Sequence, residues 1–95
     1  MNPLRFEWDS AKNLLNRRKH GVSFELAQSV FLGANALLIS DPDHSGKDDR
    51  FVLLGLSSDV HILAVCHCYR KNDEVIRITS ARRAARHERK QYWER

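Results

Sequence analysis

His61-Ile62-Leu63-Ala64-Val65-Cys66-His67-Cys68-Tyr69-Arg70, Lys71-Asn72-Asp73, Glu74-Val75-Ile76-Arg77-Ile78-Thr79: this stretch decides the fold. Two runs rich in aliphatic, β-branched and aromatic residues flank three polar residues. The pattern predicts strands over residues 61–69 and 74–79, joined by a hairpin turn. So short a connection forces antiparallel neighbours. Working outward, residues 51–56 predict another strand, joined through Ser57-Ser58-Asp59. Residues 36–40 predict a further strand, and residues 41–49 a polar, turn-rich loop. At the start, Leu4-Arg5-Phe6-Glu7-Trp8 alternates as a short strand does. Asp9 offers an N-cap oxygen to a helix that runs to about His20 and stops at Gly21. Ser23 caps a second helix, with Glu25 in its first turn and Leu26, Ala27, Val30 and Phe31 as its apolar side; Gly33 ends it. At the other end, the last strand feeds a basic helix from Ser80. The order β-α-α-β-β-β-β-α predicts an α+β domain. Two N-terminal helices pack on a mainly antiparallel sheet, with a basic C-terminal helix, and the helices cover one sheet face.

Composition narrows the function classes. At 95 residues the chain reads as a single domain, residues 1–95, with room for one modest core and no deep substrate cavity. No apolar run reaches the ~20 residues of a membrane span, and the N-terminus lacks a basic-then-apolar leader. A cytoplasmic protein with no membrane partner is expected. Cys66 and Cys68 lie two apart in a strand, too far for a relaxed disulfide, which predicts reduced thiols. The formal charge of +4 is concentrated in one place. Residues 82–95 hold six Lys or Arg against two Glu, while the other 10 basic and 10 acidic residues cancel. A polyanion therefore meets one end of this molecule.

The candidate chemistry lies near that end. Arg70 and Arg77 can stand close together across the hairpin, next to the helix N-terminus that carries Arg82 and Arg83. Unpaired N–H groups there favour an anion, and Arg grips phosphate oxygens bidentately. His67 exchanges protons near neutral pH. An arginine cluster with one histidine suits RNA cleavage without a metal: a base takes the 2′-OH proton, Arg neutralises the phosphorane, and an acid protonates the leaving 5′-oxygen. Plainer alternatives stand beside this. Arg70 and Arg77 can be solvent-facing strand residues paired with Asp73 or Glu74. His67 alternates with Leu63 and Val65, as a core histidine does. Arg82, Arg86, Arg89 and Trp93 fall at helical spacing, which fits a solvated basic face or a surface for phosphates and a stacked base. Arg17-Arg18-Lys19-His20 can contact phosphates or simply favour a helix C-terminus. Cys66-His67-Cys68 has the wrong spacing for a zinc knuckle, so no metal and no cofactor is expected.

Two further stretches carry a resemblance. Phe6-Glu7-Trp8-Asp9, then Lys12, Asn16 and Lys19-His20-Gly21-Val22-Ser23-Phe24-Glu25, is similar to the N-terminal signature of the BrnT toxins of bacterial type II toxin–antitoxin pairs. Ile76-Arg77-Ile78-Thr79-Ser80-Ala81-Arg82, then Ala84, Glu88-Arg89 and Tyr92, resembles the C-terminal one. The signatures lie in the right order and span nearly the whole chain, whereas residues 35–58 contribute only Asp41, Arg50 and Gly55. The resemblance implies a RelE-like ribonuclease fold and an mRNA-cleaving, translation-blocking activity. It also implies a BrnA-type antitoxin that binds operator DNA, within a symmetric hetero-oligomer. Under it, His67, Arg70 and Arg82 are the expected catalytic residues. From their charge and placement, Arg77, Arg83, Arg86 and Arg89 are expected RNA contacts; Lys12, Lys19 and His20, which match the N-terminal signature, are expected either to contact RNA as well or to hold the fold. The rival expectation is a nucleic-acid-binding co-repressor without catalysis, and a third is an inactive relic retained for antitoxin binding.

Overall fold

The computed structural model describes residues 4–40 and 50–95, so the expected loop over residues 41–49 lies outside the described residues. Strand β1 (Arg5–Glu7) leads into helix α1 (Ser10–His20) and the short helix α2 (Phe24–Gln28), which tightens into a 3₁₀ turn over Ser29–Leu32. Strands β2 (Leu37–Ser40), β3 (Phe51–Leu56), β4 (Ile62–Arg70) and β5 (Val75–Arg83) follow, and helix α3 (Arg86–Glu94) closes the chain. The five strands form one sheet in the order β1-β5-β4-β3-β2. The β2–β3, β3–β4 and β4–β5 pairs are antiparallel, and β1 joins β5 in parallel.

Local chemistry sets the helix ends. The Asp9 carboxylate accepts from the N–H groups of Ala11 and Lys12 at 2.8 and 3.1 Å. Gly21 closes α1 at φ 70°, a conformation that costs a residue without Cβ little. The Ser23 hydroxyl accepts from Leu26 N–H at 3.0 Å and opens α2.

Two features correct the sequence expectations. The first is the start of the last helix. Residues 80–83 continue β5, and α3 begins only at Arg86. Cys66 faces Ser80 while His67 faces Ile78, so Thr79 is an extra residue bulged out of β5. The bulge shifts the strand's phase by one, which is how Ile76, Ile78 and Ala81 all reach the same core. The second is the placement of the helices, which cover both sheet faces. On one face, Val22, Phe24, Ala27 and Val30 pack on Leu53, Leu63, Val65, Ile76, Ile78 and Ala81. On the other, Tyr92 of α3 and Ala84 pack on Leu54, Ile62 and Ala64. Helix α3 covers only part of that second face. The remainder, toward the β4–β5 turn, carries no helix among the described residues, and we call it the open face.

Candidate nucleic-acid interface

The turn that ends β4 aims the first arginine. Lys71, Asn72 and Asp73 adopt φ of 53°, 58° and 67°, and Glu74 N–H returns to Lys71 O at 3.2 Å. Asn and Asp tolerate this left-handed geometry, so the strand reverses within four residues. The register places Arg70 opposite Val75 and Cys68 opposite Arg77. Glu7 pairs with Arg77 from the other side. Cys68, Arg77 and Glu7 thus form one row across three strands, with Arg70 diagonal to it.

The arginines converge, as the hairpin expectation holds, and they do so on a carboxylate. Arg77 Nη1 donates to Glu7 Oε2 at 2.8 Å, and Arg70 Nε stands 3.8 Å from the same oxygen. Side-chain exposures of 29% for Arg77, 32% for Glu7 and 51% for Arg70 leave the trio open to a ligand. The hydrogen bond from Arg77 holds the Glu7 carboxyl below the ordinary carboxylate range, and the charges of Arg70 and Lys71 add to that.

The expected link between this pair and the helix N-terminus does not form. Arg82 and Arg83 are the last residues of β5, at its far end. Arg82 lies five residues beyond Arg77, roughly 16 Å at the strand rise. The helix N-terminus is already occupied by the protein's own carboxylate. Glu88 Oε1 accepts from Ala85 N–H at 2.7 Å, and both of its oxygens take the Arg82 guanidinium, at 2.6 and 3.0 Å. That bond pulls the Glu88 carboxyl below its ordinary range and keeps Arg82 protonated more firmly. Arg82 thus projects from a strand, not from the basic helical stripe.

His67 is fully buried, on the opposite face of β4 from Arg70. Phe31, Phe51 and Tyr69 surround its ring at centroid distances of 4.9, 6.1 and 5.3 Å. Nδ1 lies 3.2 Å from Val65 O. A carbonyl can only accept, so Nδ1 carries the proton and Nε2 accepts from the Tyr69 hydroxyl at 3.4 Å. Burial pushes the His67 pKa down and that of Tyr69 up. The core-histidine alternative therefore describes its position, and the structure does not bring His67 and Arg70 into one site.

The expected RNA contacts divide between the two sides. Lys12 and Lys19 are exposed and His20 half-buried on α1, which lies on the helix-covered face away from Glu7. Arg86, Arg89 and Lys90 are exposed on α3, as is Trp93 at 67%. Arg89 also donates to Ala84 O at 2.7 Å, so part of its work is internal. Arg83 is exposed beside Leu63, away from Arg82. Cys66 and Cys68 are free thiols. Among the described residues no three His, Cys, Asp or Glu side chains converge to hold a metal ion, and no helix is long and apolar enough to cross a membrane.

Sequence reasoning missed Glu7, Asn16 and Glu88 as individual residues. Alternation in residues 4–8 did show that Glu7 points away from Phe6 and Trp8. Its partners lie 63 and 70 positions away and left no local signal.

The family model described as "Ribonuclease toxin, BrnT, of type II toxin-antitoxin system" matches residues 8–88. The chain belongs to this family. BrnT membership makes it a ribonuclease toxin by family and implies an antitoxin partner. Among solved structures, the 1.1 Å crystal structure of the Brucella abortus ribonuclease toxin, BrnT, is similar with a TM-score of 0.67. The two are 22% identical, and the match covers 88% of this chain and 100% of that one. The likeness extends to the fold: α+β, with a five-stranded mixed sheet and three helices. No curated protein matches the chain.

Proposed function

We propose that this BrnT family member is a RelE-like endoribonuclease that cleaves mRNA by 2′-OH attack without a metal and so blocks translation. The observation that carries the reading is the pair Arg70 and Arg77 on the open face of the sheet. Two guanidiniums that reach one Glu7 oxygen, at 3.8 and 2.8 Å, supply the donors and positive charge that a pentacoordinate phosphorane needs. In this reading Arg70 and Arg77 hold the scissile phosphate. Arg82 meets a neighbouring phosphate along the same sheet face, steadied by Glu88. Arg86, Arg89, Lys90 and Trp93 on α3 receive the flanking strand through charge and stacking. Lys12, Lys19 and His20 contact RNA only where the strand wraps round the edge. His67, buried on the opposite face, serves the fold through its contacts with Val65 O and Tyr69 and takes no part in the chemistry of the open face. Residues 1–95 work as one unit in the cytoplasm. A BrnA-type antitoxin covers the open face, and the pair forms a symmetric assembly on two-fold operator DNA.

Purified protein freed of partner should cleave single-stranded RNA in EDTA and leave a 2′,3′-cyclic or 3′-phosphate. Arg70→Ala and Arg77→Ala should each lower the single-turnover rate by about 10²–10³, with smaller effects on RNA affinity. A strict requirement for a divalent ion rejects the mechanism. The exposed basic face of α3 favours one rival, a co-repressor without catalysis. RNA left intact under every condition, ribosomes included, together with tight nucleic-acid binding, selects that rival.

A further inference from the structure

We infer that Glu7 is the general base of the cleavage, accepting the 2′-hydroxyl proton on a carboxylate that Arg77 and Arg70 hold in place. The inference rests on the ribonuclease reading and supplies the proton acceptor that reading lacks.

Three facts of the fold put Glu7 there. Phe6 packs on Phe31 at 5.3 Å and Trp8 on Phe24 at 6.1 Å, both on the helix-covered side. Alternation along β1 then turns Glu7 to the open face. Parallel pairing with β5 sets it beside Arg77, and the β4 register brings Arg70 to the same oxygen. Both guanidinium contacts use Oε2, and Oε1 has no hydrogen-bond partner among the described residues. A phosphate gripped by the two arginines therefore lies next to a carboxylate oxygen able to accept a proton.

The other candidates lack this geometry. Glu88 is 8% exposed and spends both oxygens on Arg82 and Ala85 N–H. His67 has no exposed ring nitrogen, since Nδ1 faces Val65 O and Nε2 faces Tyr69. Glu74 is paired with Arg5 at 3.4 Å, beside the turn.

The charges facing Glu7 are Arg77 from β5, Arg70 from β4 and Lys71 from the turn. All three keep the carboxyl ionised in the free protein. When a phosphate seats, it draws the same cations toward itself, and the carboxylate becomes more basic as the 2′-OH arrives. The 2′-oxygen then bonds to phosphorus while its proton passes to Glu7. The P–O5′ bond breaks with its electron pair on the 5′-oxygen, which takes a proton from water. Glu7 returns its proton to solvent, leaving a 2′,3′-cyclic phosphate and a 5′-hydroxyl.

The test compares wild type, Glu7→Gln and Glu7→Asp on a single-stranded oligoribonucleotide across pH, with a 2′-deoxy analogue to read binding alone. Glu7→Gln keeps the shape and can still accept from Arg77, but it cannot take the proton. It should lower kcat by about 10²–10⁴, leave KM equal or lower, and abolish the acidic limb of the pH–rate profile. It should bind the 2′-deoxy analogue at least as tightly as wild type, because one negative charge is gone. Glu7→Asp should keep the acidic limb and part of the rate. If wild type cleaves and Glu7→Gln cleaves within about fivefold of it, or keeps the acidic limb, the assignment falls while the ribonuclease reading stands. A rise in KM with kcat unchanged would show that Glu7 only positions the arginines, and would likewise overturn it. Wild type that never cleaves RNA removes the ribonuclease reading itself, and the general base with it.

Discussion

Replacing Asn16 with Ala should destabilise the protein by more than any other single polar truncation in α1. Asn16 is the one buried residue of that helix. Its Nδ2 donates to Val22 O at 2.8 Å and to Ala81 O at 2.7 Å, and its Oδ1 accepts from Ala81 N–H at 3.1 Å. The side-chain amide thus pairs with both backbone groups of Ala81, as a neighbouring strand would. Strand β1 pairs with β5 only at Val75, Ile76 and Arg77. Asn16 therefore stands in for strand where β1 has already ended. Truncation leaves two buried carbonyls and one N–H without that partner. At about 1 kcal/mol or slightly more for each group after relaxation, the loss is about 3–4 kcal/mol. A 95-residue domain has a total stability of only about 5–14 kcal/mol. At roughly 4–8 °C per kcal/mol, Tm should fall by about 12–30 °C. Urea unfolding followed by far-UV circular dichroism measures it, with the m-value unchanged. Asn16→Asp is the sharper companion. It keeps the acceptor for Ala81 N–H but turns carboxylate oxygen toward two carbonyls, and should cost at least as much. A loss below about 1 kcal/mol for Asn16→Ala, or Asn16→Asp as stable as wild type, would refute the idea that this amide completes the sheet.

Glu88→Ala removes the acceptor for Ala85 N–H and frees a half-exposed Arg82, so α3 should loosen and stability fall by about 1–2 kcal/mol; an unchanged unfolding midpoint would show that the cap is dispensable. His67 is buried neutral with its pKa pushed below 6.5. The unfolded chain takes up that proton more readily, so stability present above about pH 6.5 should be lost as pH falls; unfolding free energy measured from pH 7.5 to 5 should slope downward in wild type and flatten in His67→Phe. Val60, a β-branched residue at φ 65° and 73% exposed, sits in a conformation that glycine adopts freely; Val60→Gly should raise stability by about 1 kcal/mol, and a lower Tm would contradict the strain. Arg86→Ala with Lys90→Ala should weaken RNA binding and reduce the log–log salt slope by roughly 0.7 for each phosphate no longer neutralised; an unchanged slope would remove α3 from the interface.

The sequence by itself determined what depends on near neighbours. The caps at Asp9, Gly21 and Ser23 act within three or four residues, and all three stand where the side chains pointed. The strand over residues 51–56 matches β3 at both ends, because its apolar run is bounded by turn residues. The hairpin was legible for the same reason, and with it the approach of Arg70 to Arg77. The last helix was started too early, at Ser80, because Arg82 falls at helical spacing with Arg86, Arg89 and Trp93. A bulge at Thr79 instead carries the strand on to Arg83, and it is visible only once Cys66 and His67 are paired with their partners. The covering of both sheet faces did leave a trace in the continuous apolar run Ile62-Leu63-Ala64-Val65, which alternation cannot assign to one side. Tertiary structure alone decided the chemistry of the open face. It put His67 and Arg70 on opposite sides of one strand. It also filled the helix N-terminus with Glu88 rather than a ligand. Through a parallel pairing across 70 positions, it set Glu7 between two arginines. No spacing or propensity encodes that meeting, because strand order is chosen by how the whole apolar surface is buried.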